Sequence, residues 1–291
     1  AVARHEPALR RIAAELLDGF ASERRVDIVA RFAEPYPVYA ALALFGFPRE
    51  DAARLKGLIT ALTHCRGSER SRNASRELTD YLVRLLSERA ACGDDRDIIA
   101  AIGRGSVVGR PLTCEEQVAM TRLLLFGGFT TVYLALSWTL HLLARQPELA
   151  ERLYAEPSLY PTAIEEFVRL ASPATYLRRT VVCETELGGT RLSPGDKVLM
   201  CFASANRDPE VFHQAEEAIL DRSPNPHLGF GFGAHRCMGY AVAKLEMKVA
   251  LEEILGRYAR LELDTDGAIE WGPGETQGIT ALPLILHPRA A

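Results

Sequence analysis

Residues 123–143 contain no Asp, Glu, Lys or Arg, and this uncharged stretch constrains the fold more than any other segment of the chain. A helix of about 20 apolar residues is long enough to span a bilayer. Gly127, Gly128 and His141 interrupt the stretch, and it lacks the aromatic belt and basic asymmetry that are typical of a membrane span. We therefore interpret it as the buried central helix of a globular protein, with a membrane span as the alternative.

The charge balance excludes several classes of partner. The chain has 34 Lys and Arg against 38 Asp and Glu, a formal net charge of -4, so it offers no basic footprint for nucleic acid or for an anionic membrane. The six cysteines include no C-x-x-C pair, which is typical of reduced cytoplasmic thiols, and we expect at least five of them to be small buried residues. Because no signal region follows Ala1, we expect a cytoplasmic protein that is not exported.

Helical periodicity predominates in residues 1–173. Thr113 and Glu116 have the spacing of a capping box, which predicts that the long apolar helix begins there. A further helix is predicted over residues 158–170, with Ser158 as its N-cap.

Extended segments separated by Gly and Pro turns follow in residues 174–291, with one more helix predicted over residues 239–255. No repeat, low-complexity segment or Ser/Gly-rich linker separates this part from the first. We therefore predict a single domain over residues 1–291, mainly α with a small β portion.

Glycines 229, 231 and 233 precede Cys237 and a predicted helix. The run lacks the Gly-Lys-Ser/Thr ending of a phosphate loop and does not follow a strand, as a dinucleotide loop would. His235 lies too close to Cys237 in sequence to support a cysteine protease, and no second ligand pair supports zinc. Two interpretations remain: a buried cysteine in a glycine turn, or a thiolate of low pKa at a helix N-terminus, acting as ligand or nucleophile.

Residues 230–239, Phe-Gly-Phe-Gly-Ala-His-Arg-Cys-Met-Gly, resemble the cysteine-ligand loop of the cytochrome P-450 family of haem-thiolate enzymes. The resemblance implies the cytochrome P-450 fold, with Cys237 as the axial thiolate on the iron of haem b. It also implies that His235 reaches a haem propionate and that Phe230 packs near the sulfur. Two further positions that would let the backbone lie against the haem are Gly231 and Gly239.

Glu166 and Arg169 match the Glu-x-x-Arg pair of the same family. Taken alone, such an i, i+3 pair is more typical of a weak surface salt bridge. The resemblance instead implies a buried structural pair that supports the cysteine loop, joined by Arg222. It also implies that Arg179 binds a haem propionate, whereas an arginine on a strand facing solvent is the alternative.

A third similarity lies in the uncharged stretch, where Gly127 and Gly128 correspond to the small residues that the family places over the oxygen site. Thr131 aligns with the family's threonine at that site, which implies a hydrogen bond to the oxygen species and help in routing protons. Ordinary helix packing is the alternative for these residues. Thr130 occupies the position of the family's acid, and a hydroxyl cannot act as a charged proton donor near neutral pH.

The resemblance implies an iron-dependent monooxygenase, an oxidoreductase that activates O2 to oxidise a small apolar organic substrate. Analogy further suggests secondary-metabolite tailoring, with a substrate that a carrier protein could hold. A ferredoxin or flavodoxin would supply electrons, and Arg236 and Lys244 are candidates for a basic docking face.

The resemblance covers about residues 5–287, and we expect the chain to lack the N-terminal part of the family pattern. The expected lack of this part, together with a threonine at position 130 in place of the family's acid, leaves an alternative function open. The chain would then be a noncatalytic scaffold of the same fold that binds haem or recruits partners.

Overall fold

The computed structural model describes residues 2–65, 67–92, 97–272 and 276–290, without the side chains of His64 and Cys92. The α-helices are α1 Glu6–Asp18, α2 Pro35–Phe45, α3 Ala52–His64, α4 Glu69–Cys92, α5 Ile98–Gly103, α6 Cys114–Phe129, α7 Thr131–Arg145, α8 Pro147–Ala155, α9 Tyr160–Ala171, α10 Phe202–Ala205 and α11 Tyr240–Arg257. The strands are β1 Arg25–Asp27, β2 Ser106–Val107, β3 Arg110–Pro111, β4 Tyr176–Thr180, β5 Thr185–Leu187, β6 Thr190–Leu192, β7 Lys197–Cys201, β8 Tyr258–Leu263, β9 Glu270–Gly272, β10 Gly278–Ala281 and β11 Pro283–Pro288. The prediction of a mainly α fold with a small β portion is confirmed.

The uncharged stretch forms two helices rather than the single predicted helix. Helix α6 ends at Phe129 and α7 begins at Thr131, where the Thr131 hydroxyl donates to the Gly127 carbonyl at 2.9 Å. Glycine and β-branched threonine both have low helix propensity, and a hydroxyl bonded to the preceding turn bends a helix. The predicted capping box at Thr113 and Glu116 is present at the start of α6.

Helix α7 lies at the centre of the fold. Leu136, Leu140 and Leu143 are fully buried, and the helix packs against α9, α11, β8 and β10. Together α6 and α7 (Cys114–Arg145) are long and apolar enough to cross a membrane by length and composition, but half of their most apolar window is buried inside the protein. A core helix passes the same test, so the stretch is weak evidence for a membrane span.

Helix α9 begins at Tyr160, one residue later than the predicted N-cap Ser158 would place its start. Ser158 lies in a 3-10 turn, Pro157–Leu159, and the N-cap is Leu159, which makes no side-chain cap hydrogen bond. Pro161 in the first turn needs no N–H partner and has a φ already suited to a helix, so it sets the start of α9 in place of a serine cap.

The β-rich part contains two hairpin-like pairs, β4 with β7 and β5 with β6, and most of their side chains are exposed. A three-stranded antiparallel sheet has the order β1-β11-β8, so residues from both ends of the chain share one sheet. Helix α11 packs against α1 and α9, and Lys244 near its N-terminus pairs with Glu165 of α9.

Candidate active site

The loop that carries Cys237 is folded by its own backbone. The Gly231 N–H donates to the Leu228 carbonyl at 2.8 Å, and the Cys237 N–H donates to the Phe230 carbonyl at 2.8 Å. Gly231 has φ +69° and Gly233 has φ +67°, a conformation that L side chains rarely adopt. The loop therefore returns on itself and places Cys237 just before Gly239, the N-cap of α11.

The cysteine side chains lie nearer the surface than the sequence indicated. Cys114, Cys183, Cys201 and Cys237 are exposed, and Cys65 is half-buried. The expectation of at least five small buried cysteines is wrong, because Cys114 begins α6, Cys201 ends the exposed strand β7, and the other three lie outside helices and strands. Exposure of Cys237 also excludes the interpretation of a buried cysteine in a glycine turn. Within the described residues, no group of three or more His, Cys, Asp or Glu side chains could hold a metal ion.

Glu166 lies fully buried at the centre of a hydrogen-bond network. Both of its carboxylate oxygens accept from Arg169, each at 2.8 Å, and Arg222 Nε lies 2.9 and 3.0 Å from them. The Ile219 N–H and the Asn225 side chain also donate to it, at 3.0 and 3.2 Å. Burial raises the pKa of Glu166, but these donors outweigh it and hold the pKa below its usual value.

Arg169 joins this carboxylate to a loop distant in sequence. Its guanidinium donates to the carbonyls of Asn206 at 2.7 Å, Ala215 at 2.6 Å and Glu217 at 3.1 Å, and it lies over the Phe212 ring. Because the side chains of Glu166 and Arg169 have no exposed surface, the pair is not the surface salt bridge of the alternative interpretation. The structure thus brings together Glu166, Arg169 and Arg222, as predicted for the structural pair and the arginine that joins it.

The glycines and threonines of the uncharged stretch face different neighbours. Gly127 is exposed, with nothing within 4 Å of an added Cβ, whereas a Cβ on Gly128 would lie 3.2 Å from both Ala41 and Phe45 of α2. Gly128 therefore packs closely against α2. Its predicted position over an oxygen site stays a prediction. Thr130 and Thr131 are half-buried at the junction of α6 and α7.

The two predicted propionate ligands remain predictions. Arg179 is exposed on β4, opposite Val198, and its guanidinium donates to the Arg178 carbonyl at 3.0 Å. His235 is exposed in a 3-10 turn, Gly233–His235. Among the described residues, the Arg179 side chain makes no hydrogen bond to the cysteine loop, and the His235 side chain makes none to other residues of that loop.

Sequence reasoning missed three polar residues that contact the loop or its support: Asn206, His227 and Glu165. Asn206 is fully buried, and its side-chain oxygen accepts the Leu228 N–H at 2.6 Å. For Asn206 and His227 the available signal was a polar side chain in or beside an irregular segment, where backbone groups need side-chain partners. Glu165 lies within α9 and gave no such signal.

The sequence profile of the Cytochrome P450 family matches residues 58–270. The chain belongs to the cytochrome P450 family. The polyketide biosynthesis cytochrome P450 PksS of Bacillus subtilis (strain 168) is 33% identical over 285 residues, which cover 96% of this chain and 70% of that protein. This cytochrome P450 spans 61% to 70% of the length of the curated relatives it matches.

Solved structures show the same fold. The Bacillus subtilis 168 PksS structure superposes with a TM-score of 0.91 at 30% identity, covering 98% of this chain and 75% of that one. HmtN, a post-tailoring hydroxylase of himastatin biosynthesis, gives a TM-score of 0.88 at 33% identity, covering 98% and 75% of the two chains. P450BioI, solved with a fatty acid ligated to acyl carrier protein, gives a TM-score of 0.90 at 26% identity, covering 98% of this chain and 75% of that one.

This cytochrome P450 is thus a haem-dependent monooxygenase, and its cofactor is haem b. The surroundings of Cys237 fit that group. Phe232 is 83% exposed and Met238 is 78% exposed, beside a thiol at the surface, so a flat apolar ligand would cover side chains that water otherwise contacts. On α6, exposed Met120 and Leu123 share one helix face with Gly127, which presents a second apolar surface.

Proposed function

We propose that Cys237 would hold haem b through its thiolate and that the chain oxidises a small apolar organic substrate in secondary-metabolite tailoring. The observation that carries the proposal is the exposed thiol of Cys237, whose backbone N–H donates to the Phe230 carbonyl just before the N-terminus of α11. The dipole and the unpaired N–H groups of a helix N-terminus stabilise nearby negative charge, which suits a cysteine that binds a metal. The buried Glu166–Arg169 pair supports the segment 206–225, which precedes the loop.

Haem bound to a cysteine thiolate supplies the activation of O2. The residues of this chain would bind the haem and orient the hydroxyl groups that hold protons beside it. Thr131 holds a proton at Oγ1, which it donates to the Gly127 carbonyl at 2.9 Å. Thr130 contributes a second hydroxyl but no ionisable group, so proton delivery at this position depends on hydroxyls and water rather than on a carboxylate.

An apolar substrate matches the exposed face of α6 at Met120 and Leu123. The likeness to PksS and HmtN supports natural-product tailoring, and the likeness to P450BioI supports a substrate held by a carrier protein. For electron supply we propose a ferredoxin or flavodoxin. Of the two basic candidates, Arg236 is exposed, whereas Lys244 is paired with Glu165 at 2.6 Å, so Arg236 is the better docking residue.

We also propose that residues 1–291 form one domain and work in the cytoplasm without membrane attachment. The sheet shared by β1, β11 and β8 supports one domain, because it pairs residues near both ends of the chain. Burial of half of the apolar window of α6 and α7 supports a core role for that stretch.

The test is the absorption spectrum of the reduced CO complex, measured for the wild type and for Cys237→Ala. We expect a long-wavelength Soret band that Cys237→Ala abolishes. Cys201→Ala is the matched control, since Cys201 is another exposed cysteine on a different element, and it should keep the band. Haem-free protein from haem-replete cells would contradict the proposal and favour the noncatalytic scaffold.

A further inference from the structure

His227 lies buried between α9 and the cysteine loop, with both ring nitrogens bonded. Its side chain is 5% exposed, and Nε2 lies 2.9 Å from Glu165 Oε2. The other ring nitrogen, Nδ1, accepts the Gly229 N–H at 3.0 Å. Lys244 of α11 donates to the second oxygen of Glu165 at 2.6 Å.

These contacts fix one tautomer of the imidazole. A backbone N–H can only donate, so Nδ1 must carry the lone pair. The proton is then on Nε2, where it is donated to the Glu165 carboxylate. Burial raises the pKa of Glu165, but the hydrogen bonds from His227 and Lys244 lower it to about 2, so Glu165 is ionised and accepts both donors at neutral pH.

Gly229 is the point at which this network meets the cysteine loop. An added Cβ on Gly229 would lie 2.7 Å from Val168 Cγ1 and 3.0 Å from His227 Nδ1, so the residue is seated closely between α9 and the imidazole. One residue later, the Phe230 carbonyl accepts the Cys237 N–H at 2.8 Å. The Phe230 ring also packs on the His227 ring, with centroids 5.8 Å apart.

We propose that His227, held in its Nε2–H tautomer by Glu165 and Lys244, is a positioning residue for the Cys237 ligand. It accepts the Gly229 N–H and so fixes the backbone whose next carbonyl holds the Cys237 N–H. Glu165 and Lys244 join α9 to α11, the helix that follows the loop, and complete the support. The inference rests on the proposed role of Cys237 as haem ligand.

Three substitutions at His227 test separately the hydrogen bond of Nδ1 with Gly229 and that of Nε2 with Glu165. His227→Asn places an amide oxygen where Nδ1 lies and keeps the acceptor for Gly229. His227→Gln reaches Glu165 with an amide N–H in place of Nε2, and His227→Phe keeps the ring shape with neither bond. His213→Asn is the matched control, because His213 is exposed.

The first readout is the ratio of the long-wavelength Soret band to the short-wavelength band of displaced thiolate in the reduced CO complex. We expect this ratio to fall about tenfold in His227→Phe, to fall less in His227→Gln, and to stay near wild type in His227→Asn, as the loss of a buried hydrogen bond implies. Far-UV circular dichroism checks that helix content is unchanged. An unaltered ratio in His227→Phe would overturn the inference.

The second readout needs no haem. In the haem-free wild type, the Gly229 amide should exchange with deuterium at least about tenfold more slowly than an open amide, and ¹⁵N NMR should show His227 protonated at Nε2. Rapid exchange at Gly229, or a proton on Nδ1, would overturn the positioning role even if the variants failed to fold. A wild type without the long-wavelength band, but with these NMR properties, would instead contradict the role of Cys237.

Discussion

The side chain of Asn206 joins the end of α9 to the start of the cysteine loop by accepting the Leu228 N–H at 2.6 Å. Its amide nitrogen donates to Ser172 Oγ at 2.8 Å, and that hydroxyl donates to the Arg169 carbonyl at 2.7 Å. All three polar side chains, Asn206, Ser172 and Arg169, are buried. The loop and the helix that supports it are therefore held by one continuous set of hydrogen bonds.

Replacing Asn206 by alanine should leave the Leu228 N–H without its acceptor and the Ser172 hydroxyl without the donor of its second hydrogen bond. We expect the free energy of unfolding, measured by urea titration, to fall by about 1–3 kcal/mol. Asn73→Ala, at an exposed position of α4, should change it by less than about 0.5 kcal/mol. Equal effects of the two substitutions would show that the buried amide does not hold the loop.

Two glycine substitutions should act in opposite directions. In Gly229→Ala, the new methyl would meet Val168 Cγ1 at 2.7 Å and the Val168 carbonyl at 3.1 Å, so we expect a loss of about 1–3 kcal/mol of stability. In Gly256→Ala, within α11, nothing lies within 4 Å of the methyl, and a gain of about 0.5–1 kcal/mol is expected from helix propensity. Thermal unfolding followed by circular dichroism measures both, and a tolerated Gly229→Ala would contradict the close seating of the loop on α9.

Restoring an acid at Thr130 should improve proton delivery if the chain is the proposed oxygenase. We expect Thr130→Asp to lower the hydrogen peroxide released per electron consumed, and Thr131→Ala to raise it, each by about tenfold at most given the range of general acid–base effects. The assay supplies electrons from a surrogate ferredoxin and its reductase. Thr190→Asp on the exposed strand β6 is the control and should leave peroxide release unchanged. No difference between Thr130→Asp and the control would remove Thr130 from proton delivery.

Glu246 of α11 should make stability depend on pH. The residue is 2% exposed, and its Oε2 has no hydrogen-bond partner among the described residues. Burial raises the pKa of Glu246 to about 8. Since the folded pKa lies above the unfolded value of 4.5, the stabilisation is fully present below pH 4.5 and is lost as pH rises through about 8.

Glu246→Gln keeps the shape and removes the ionisation. We expect the stability of this variant relative to wild type to increase with pH by on the order of 1 kcal/mol for each pH unit in that window, measured by urea titration. Glu270→Gln, at an exposed position of β9, should show no such slope. A difference between Glu246→Gln and wild type that did not vary with pH would mean that Glu246 is not buried as a neutral acid.

Local sequence signals predicted the elements of the fold well. The capping box at Thr113 and Glu116 is present, and the helix predicted over residues 239–255 is α11, Tyr240–Arg257. Such signals act within a few residues, so they can be read without knowing what packs nearby. The break at Thr130 and the start of α9 at Tyr160 were not predicted, because each depends on several weak local preferences that compete.

By itself, the sequence determined the helical fold, the glycine turn before Cys237 and the resemblance to the cytochrome P-450 family, because these follow from residue types at fixed spacing. Only the tertiary structure decided which side chains support the loop. Asn206, His227 and Glu165 lie 31, 10 and 72 residues before Cys237, and chain separation of that kind carries no signal of contact. The roles of Asn206 and His227 follow from burial, since backbone N–H groups removed from water must find a partner wherever the fold supplies one. Glu165 acts through the His227 ring, which it contacts from α9.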